Sequence, residues 1–370
     1  MDVGSDAIRA FVFEDAAGDG LPKPLGKFVW NAAAPISAIR LVRKIRENVS
    51  ALERAFARPP HRITIGLGAE VAECALQGFA GEILGSGTFL TRGDIRTSYQ
   101  RLFEKHADVR RAMIVAPTEL LVNGYPLGED TWKNDTISLR KDIRELRFMT
   151  MALTMPTEAG ALFAEMKNSF GGVGIELLPL VVAEKEAVVA RCGMKDVLVI
   201  DVRENATACI AVKDGRFAGV GFIPFGTRRF AEALARNFSR PLPEAHAMAR
   251  LYAQGIGDPA RLGVTKIARE GAGEWKKFLI RTLDSIASAA GPLPDHVVVL
   301  GPGAEFPEVR SALQAGDWLG SFSHTERPVL RILNGAAFSG GDTLGGHLGA
   351  YEDAGLASLM VYSLYHKPIF

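Results

Sequence analysis

The sequence predicts an α/β fold made of two related halves, with a small α+β unit inserted into the first half. In the second half, an apolar run from Val197 to Ile200 ends on Asp201, and two more strands with a tight turn follow up to Gly226. The first half repeats this outline of an acidic residue, a small-residue turn and a hairpin, beginning at Asp2. Such a repeated pattern of strands and turns is typical of a fold built from two related halves.

Length and composition limit the classes of protein to consider. The 370 residues are enough for two or three domains, and a hydrophobic share of 48% is ordinary for a globular protein. The net charge of the protein is +1 and the sequence contains no basic stripe, so we do not expect a nucleic acid as a partner. The cysteines, Cys74, Cys192 and Cys209, are far apart and odd in number, which argues against disulfides or zinc and favours a reducing cytoplasm. We predict neither a membrane span nor a secretion signal.

The first half begins with a hairpin and continues into a helix. IRAFVFE and KFVW alternate as strands do, whereas the strand expected to carry Asp2 is missing, because only Met1 precedes it. Residues 36–57 have apolar side chains at a helical period, and a proline pair ends that helix. Residues 62–68 then predict a strand that ends in glycine.

Residues 75–154 predict the inserted unit. Thr91 and Asp94 have the spacing of a capping box at the start of a helix. The Asn123-Gly124 pair marks a hairpin turn between two strands, and DIRELRFMTMALTM predicts one more strand. One helix and three or four strands are therefore expected here.

The remaining chain alternates helices and strands, and it gives the domain boundaries. We interpret residues 256–274 as a polar connection, followed by an amphipathic helix. The predicted boundaries are 1–74 and 155–195 for the first domain, 75–154 for the inserted unit, and 196–370 for the second domain with a reduced helical subdomain at about 243–290.

Three loop motifs follow one another in a fixed order along nearly the whole chain. They are DVGS at 2–5, DVRENAT at 201–207 and VVLGPGA at 298–304, with IPFG at 223–226 after the second hairpin. In this order they resemble the two phosphate loops and the adenosine loop of the FtsA and PilM branch of the actin-like ATPases. The inserted unit stands where that branch carries an SHS2-type subdomain. The resemblance implies an actin-like (ribonuclease H-like) two-domain fold.

The same resemblance implies a site for ATP and Mg²⁺. In the family, two hairpin turns hold the phosphates through backbone N–H groups, and the Asp of each loop holds the metal through water. The implied nucleotide-binding residues are Asp2, Gly4, Ser5, Asp201, Arg203, Asn205, Thr207, Gly301, Gly303 and Ala304. Asp2 and Asp201 are the implied indirect ligands of Mg²⁺.

The second phosphate loop departs from the family pattern. Arg203 and Glu204 stand where the family has small residues, and a long side chain there obstructs phosphate or forces another turn geometry. The alternative is that Arg203 adds a positive charge to the phosphates. The family's carboxylate near the ribose is lost, because the corresponding helix has Ala247 and Arg250. We therefore predict a degenerate ATP site with weak or no ATPase activity.

Two scaffold roles follow from the resemblance. An FtsA-like protein links a tubulin-like division ring to the membrane and associates with itself through the inserted subdomain. A PilM-like protein belongs to the cytoplasmic ring of type IV pilus machinery and binds a short peptide of a membrane protein. Either role implies a cytoplasmic protein held at the inner face of the membrane through a partner.

Features of the sequence favour the pilus role, whereas the prevalence of division scaffolds favours the division role. The chain stops at YSLYHKPIF without a membrane helix, and residues 256–274 leave little room for the sheet of a fourth subdomain, which favours PilM. We place the division role narrowly first, because division scaffolds are the more widespread use of the fold. An active ATPase or sugar kinase comes last, since no catalytic carboxylate is identified.

Overall fold

The structure is a computed structural model that describes most of the chain. It describes residues 1–5, 7–14, 22–31, 38–56, 60–81, 90–106, 111–127, 136–137, 143–170, 173–256, 263–315, 318, 328–339 and 342–365. The chain divides into two compact units. The first comprises Met1–Pro35, Gly66–Val71 and Ala183–Leu364, and the second comprises Ile36–Ile65, Ala72–Val182 and Tyr365–Phe370.

Strands and helices alternate along the chain, as expected for an α/β protein. The strands are β1 (Asp2–Val3), β2 (Ala7–Glu14), β3 (Lys23–Asn31), β4 (Arg62–Leu67), β5 (Glu73–Gly81), β6 (Leu90–Thr91), β7 (Arg111–Val122), β8 (Tyr125–Pro126), β9 (Thr136–Ile137), β10 (Leu146–Pro156), β11 (Gly174–Pro179), β12 (Val197–Val202), β13 (Thr207–Lys213), β14 (Arg216–Ile223), β15 (His296–Leu300) and β16 (Val329–Ile332). The α-helices are α1 (Ala38–Ala55), α2 (Arg92–His106), α3 (Thr157–Ser169), α4 (Leu180–Cys192), α5 (Thr227–Phe238), α6 (Leu242–Ala253), α7 (Val264–Ala290), α8 (Pro307–Gln314), α9 (Ala336–Ser339), α10 (Asp342–His347) and α11 (Ala354–Tyr365). Short 3₁₀ turns cover Pro302–Glu305 and Tyr351–Asp353.

Strand β1 lies at the start of the first unit, between two neighbouring strands. It pairs antiparallel with β2, where Asp2 is opposite Arg9, and parallel with the end of β4, where Asp2 is opposite Gly66. A two-residue strand therefore carries Asp2 where the sequence predicts none. Pairing on both sides lets so short a strand hold its position.

The central sheet of the first unit has the strand order β14-β13-β12-β15-β16. Strands β12, β13 and β14 form the expected antiparallel pairs, and the turn between the last two has positive φ at Asp214 (51°) and Gly215 (75°). Strand β12 is parallel to β15, with Asp201 opposite Leu300. The loops that follow β12 and β15 therefore leave the sheet at the same edge.

Helix α7 shows that the polar connection predicted at residues 256–274 is wrong for its second part. The helix begins at Val264, and its apolar positions continue at helical spacing into the core of the first unit. The buried ones in this stretch are Val264, Ile267, Ala268, Ala272 and Trp275. Gly271 is needed for close packing in this helix, because a Cβ there would be 2.9 Å from the Phe230 ring. Residues 257–262 lie outside the described residues.

The second unit contains a four-stranded antiparallel sheet in the order β5-β10-β7-β8. Its turn at Asn123 (φ 52°) and Gly124 (φ 79°) is the hairpin that the sequence predicts. Helix α2 packs on β5, and the shared core is apolar. Its buried residues are Ile95, Tyr99, Leu120, Val122, Leu146 and Phe148. The domain boundaries and the SHS2-type assignment stay predictions.

Helices α1 and α3 pack together in the second unit, where Arg46 Nη1 lies 2.9 Å from Glu165 Oε1. Of the helices that the structure describes, none is both long and apolar enough to cross a membrane.

Candidate functional site

The first predicted phosphate loop follows β1 in the first unit. The side chain of Asp2 is fully buried. The backbone N–H of Gly4 donates to the carbonyl of Ala7 at 3.0 Å, which closes the turn. Ser5 is partly buried and directs its backbone N–H at the side chain of Glu70. The loop is therefore folded around a protein carboxylate.

The second predicted phosphate loop follows β12 and is anchored at both ends. The N–H of Arg203 donates to the carbonyl of Ala206 at 3.0 Å. The carbonyls of Arg203 and Glu204 accept the N–H groups of Thr227 and Arg228, each at 2.9 Å. These donors belong to the first turn of α5, where backbone N–H groups have no partner within the helix. The loop thus caps α5.

The guanidinium of Arg203 lies beside Asp2 and Asp201, the two aspartates that the resemblance assigns to Mg²⁺ binding. Its Nη2 is 2.8 Å from Asp2 Oδ1, and its Nη1 is 3.8 Å from Asp201 Oδ2. Arg203 is 8% exposed. Burial alone would lower the pKa of Arg203, but the charges of Asp2 and Asp201 hold that pKa well above its ordinary value. The chain therefore provides one internal positive charge that lies beside both aspartates.

Glu70 joins the two loops, and sequence reasoning missed it. Its Oε1 accepts the N–H of Ser5 at 3.0 Å, and its Oε2 accepts the N–H of Asn205 at 3.0 Å. Arg203 Nε adds a contact to Oε1 at 3.4 Å. The amide of Asn205 also donates to the hydroxyl of Ser5 at 2.5 Å, directly linking the loops. No local pattern marks Glu70, because its partners are 65, 133 and 135 positions away.

A second buried carboxyl, Glu184 on α4, lies against Asp201. Neither of its oxygens receives a hydrogen bond from the residues that the structure describes. Burial, and then the charge of Asp201, raise the pKa of Glu184 well above its usual range. Burial also raises the pKa of Asp201 to about 6, although Arg203 opposes this rise. Burial and the charge of Asp201 therefore both favour the protonated form of Glu184.

A signal for Glu184 was available in the sequence. It is the first charged residue after the apolar run from Leu177 to Ala183, and such a residue next to a buried run is a candidate for a buried charge. Only the packing of α4 shows that its partner is Asp201.

The predicted adenosine loop follows β15 and packs directly on β12. Gly301 has φ 81°, and a Cβ there would lie 2.3 Å from Asp201 Oδ1. Gly303 and Ala304 form the 3₁₀ turn that comes next, and both are buried. The structure therefore brings this loop into contact with the second phosphate loop, and Gly301 is required there by close approach.

Thr207, another predicted site residue, has structural contacts in the core. Its hydroxyl donates to the carbonyl of Phe225 at 2.8 Å and accepts the indole N–H of Trp275 at 3.0 Å. Thr207 and Trp275 are both fully buried. The donor and one acceptor position of the hydroxyl are therefore used inside the core.

Helix α6 carries Ala247 and Arg250, and Arg250 forms an ion pair with a glutamate. Arg250 Nη2 lies 2.8 Å from Glu352 Oε2, at an exposed position.

Within the described part of the chain, no group of three or more His, Cys, Asp or Glu side chains could hold a metal ion.

The residues around the two phosphate loops do not fit a magnesium nucleotide in this arrangement. A cation placed between Asp2 and Asp201 would have to displace the guanidinium of Arg203. A phosphate would meet the carboxylate of Glu70 at the N–H groups of both loops, and the two anions would repel each other. The described groups hold the two loops together.

The fold defines a class of protein: the chain has the actin-like ATPase fold, as the sequence predicts. It is similar to the solved PilM-PilN type IV pilus biogenesis complex, with TM-score 0.64 and 16% identity over 97% of this chain and 96% of that one. It also matches EutJ from Carboxydothermus hydrogenoformans, with TM-score 0.48 and 12% identity over 97% and 88% of the two chains. Ta0583, an archaeal actin homolog, gives TM-score 0.39 and 11% identity over 97% and 91%. No family model matches the sequence, and no curated protein matches it.

Identities this low show the fold and leave the function open. Membership of the FtsA and PilM branch is suggested by the likeness to PilM and stays a prediction.

Proposed function

We propose that this protein is an actin-like scaffold that works without bound ATP, in a PilM-like role in type IV pilus assembly. The observation that carries the proposal is the buried ion pair of Arg203 with Asp2, at 2.8 Å. A cation supplied by the chain itself joins the two loops that a metal nucleotide joins elsewhere in this fold. Hydrolysis is therefore not expected to drive its assembly.

We prefer the pilus role because one structural match extends over nearly the whole chain. The match to the PilM-PilN complex extends over 97% of this chain, so it includes the inserted unit as well as the two halves. PilM is found there with PilN, and by analogy we expect this chain to bind a short segment of a membrane protein. That partner would hold a cytoplasmic protein at the inner face of the membrane. Self-association through the inserted unit belongs to the same proposal.

The division role remains the alternative, and the same experiment separates the two. The tagged full-length protein is used to capture partners from its own cells, with immunodetection of a pilus-assembly membrane protein and of the tubulin-like division protein. We expect the pilus protein, recovered in equal amounts with Mg-ATP and with EDTA. Recovery of the division protein instead would support the division role. Recovery of neither protein would refute both roles.

Nucleotide independence needs a direct test. The purified protein is titrated with a fluorescent ATP analogue in the presence of magnesium. We expect no saturable signal, because Arg203 pairs with Asp2 and Glu70 accepts the N–H of Asn205. Tight magnesium-dependent binding would contradict the proposal.

A further inference from the structure

We propose that Glu70 is an intramolecular ligand that stands in for a phosphate group, so that the two loops form an oxyanion site occupied by the chain itself. The inference deepens the proposed function, since it explains how loops built for phosphate stay closed without nucleotide. It concerns the chemistry of the site only. The choice between pilus and division roles does not depend on it.

The first argument is the convergence of donors. The N–H groups of Ser5 and Asn205 come from loops 200 positions apart, and each donates to a different oxygen of one carboxylate at 3.0 Å. Arg203 Nε is a third donor, at 3.4 Å. Two backbone N–H groups with a guanidinium form a typical oxyanion site, and carboxylate and phosphate oxygens accept from it in the same way.

The second argument is burial. The side chain of Glu70 is 0% exposed, and that of Arg203 is 10% exposed. Buried backbone N–H groups almost always have an acceptor, and leaving them without one is costly. Removing the carboxylate would therefore leave these donors to be satisfied by water or by a free anion.

The third argument is the placement of Glu70 in a short turn. Gly68 donates its N–H to the carbonyl of Val3 at 3.2 Å, and Val71 donates to the carbonyl of Gly68 at 3.0 Å. These bonds fix the backbone on both sides of Glu70. A ligand tethered in this way acts at a high effective concentration, which explains why a free anion would not compete with it.

The test is chemical rescue of Glu70→Ala in the full-length chain. Thermal unfolding is followed in increasing inorganic phosphate, and separately in acetate, with chloride at matched ionic strength as the reference. Glu270→Ala, an exposed change on α7, is the matched control. We expect Glu70→Ala to be destabilised without anions and to regain stability in a saturable way, with phosphate binding at least about tenfold tighter than in the wild type.

Each outcome decides the proposal. If Glu70→Ala does not fold in chloride, recovery of a folded state in phosphate supports the proposal, and failure to recover overturns it. A phosphate response equal to that of the wild type and Glu270→Ala also overturns it. A response to acetate alone overturns the phosphate assignment. None of these results changes the partner capture that tests the proposed function, so the two proposals fail separately.

Discussion

Arg203 Nη2 lies 2.8 Å from Asp2 Oδ1 and joins residues that are 201 positions apart in the chain. One is the first acidic residue of the sequence, and the other lies in the second loop. The pair is buried, so its two charges depend on each other. Loss of Arg203 would leave Asp2 without this buried countercharge, whereas loss of Asp2 would leave Arg203 with Glu70 and Asp201.

Replacement of Arg203 by alanine is therefore expected to destabilise the protein strongly. The change leaves Asp2 and Asp201 as buried carboxylates without their cation, and such losses cost about 3–5 kcal/mol of unfolding free energy. Urea unfolding followed by circular dichroism measures the loss. Arg229→Ala is the control, since its ion pair is solvent-exposed and the change should cost no more than about 1 kcal/mol. Equal losses in the two variants would contradict a special role for Arg203.

The carboxyl pair of Glu184 and Asp201 predicts a pH dependence. The folded-state pKa of Glu184 is raised, so this group stabilises the folded protein fully only below its unfolded pKa of about 4.3. As pH rises above that value, the unfolded chain releases the proton while the folded chain keeps it. The contribution of Glu184 then falls by about 1.4 kcal/mol per pH unit, until the folded group also ionises.

Glu184→Gln should remove this dependence, because its amide does not titrate. The measurement is urea unfolding of both proteins from pH 4 to pH 8. We expect the stability of the variant relative to wild type to increase with pH across this range. A difference that is constant with pH would show that the carboxyl of Glu184 does not hold a proton in the folded state.

Thr207→Val tests the structural role of the hydroxyl. The change leaves the indole N–H of Trp275 without its acceptor and the carbonyl of Phe225 without its donor. We expect a loss of about 1–3 kcal/mol in unfolding free energy for the unpaired groups. Thr207→Ser keeps the hydroxyl and should lose only about 1 kcal/mol for one methyl group. If serine costs as much as valine, the methyl packing and not the hydrogen bonds would explain the effect.

Two glycine-to-alanine changes should have opposite signs. Gly301→Ala introduces a Cβ that would be 2.3 Å from Asp201 Oδ1, at φ 81°, so we expect a loss of at least about 1 kcal/mol. Gly273 is exposed within α7, with no atom within 4 Å of an added Cβ, and alanine there should stabilise by about 0.5–1 kcal/mol. Thermal unfolding of the two variants compares them directly. A tolerated Gly301→Ala would show that the loop after β15 is free to move away from Asp201.

Local sequence patterns predicted much of the fold. The apolar run that ends at Asp201 and the Asp214-Gly215 turn predict β12 to β14, because strand propensity and positive φ are set by neighbouring residues. The same reasoning was wrong at residues 264–274, which the sequence predicts as part of a polar connection and which lie in α7. In the folded protein Gly271 permits α7 to approach Phe230, and no local pattern reveals such a contact.

By itself, the sequence determined that two acidic turns and a glycine-rich loop recur in the order of an actin-like fold, and that Arg203 disturbs one of them. Only the tertiary structure decided where that charge goes, and it showed that Glu70 and Glu184 belong to the same cluster. The physical reason is that ion pairs and hydrogen bonds act over a few ångströms in space, whatever the distance along the chain. Arg203 and Asp2 are 201 positions apart in the chain and are brought together only by the fold.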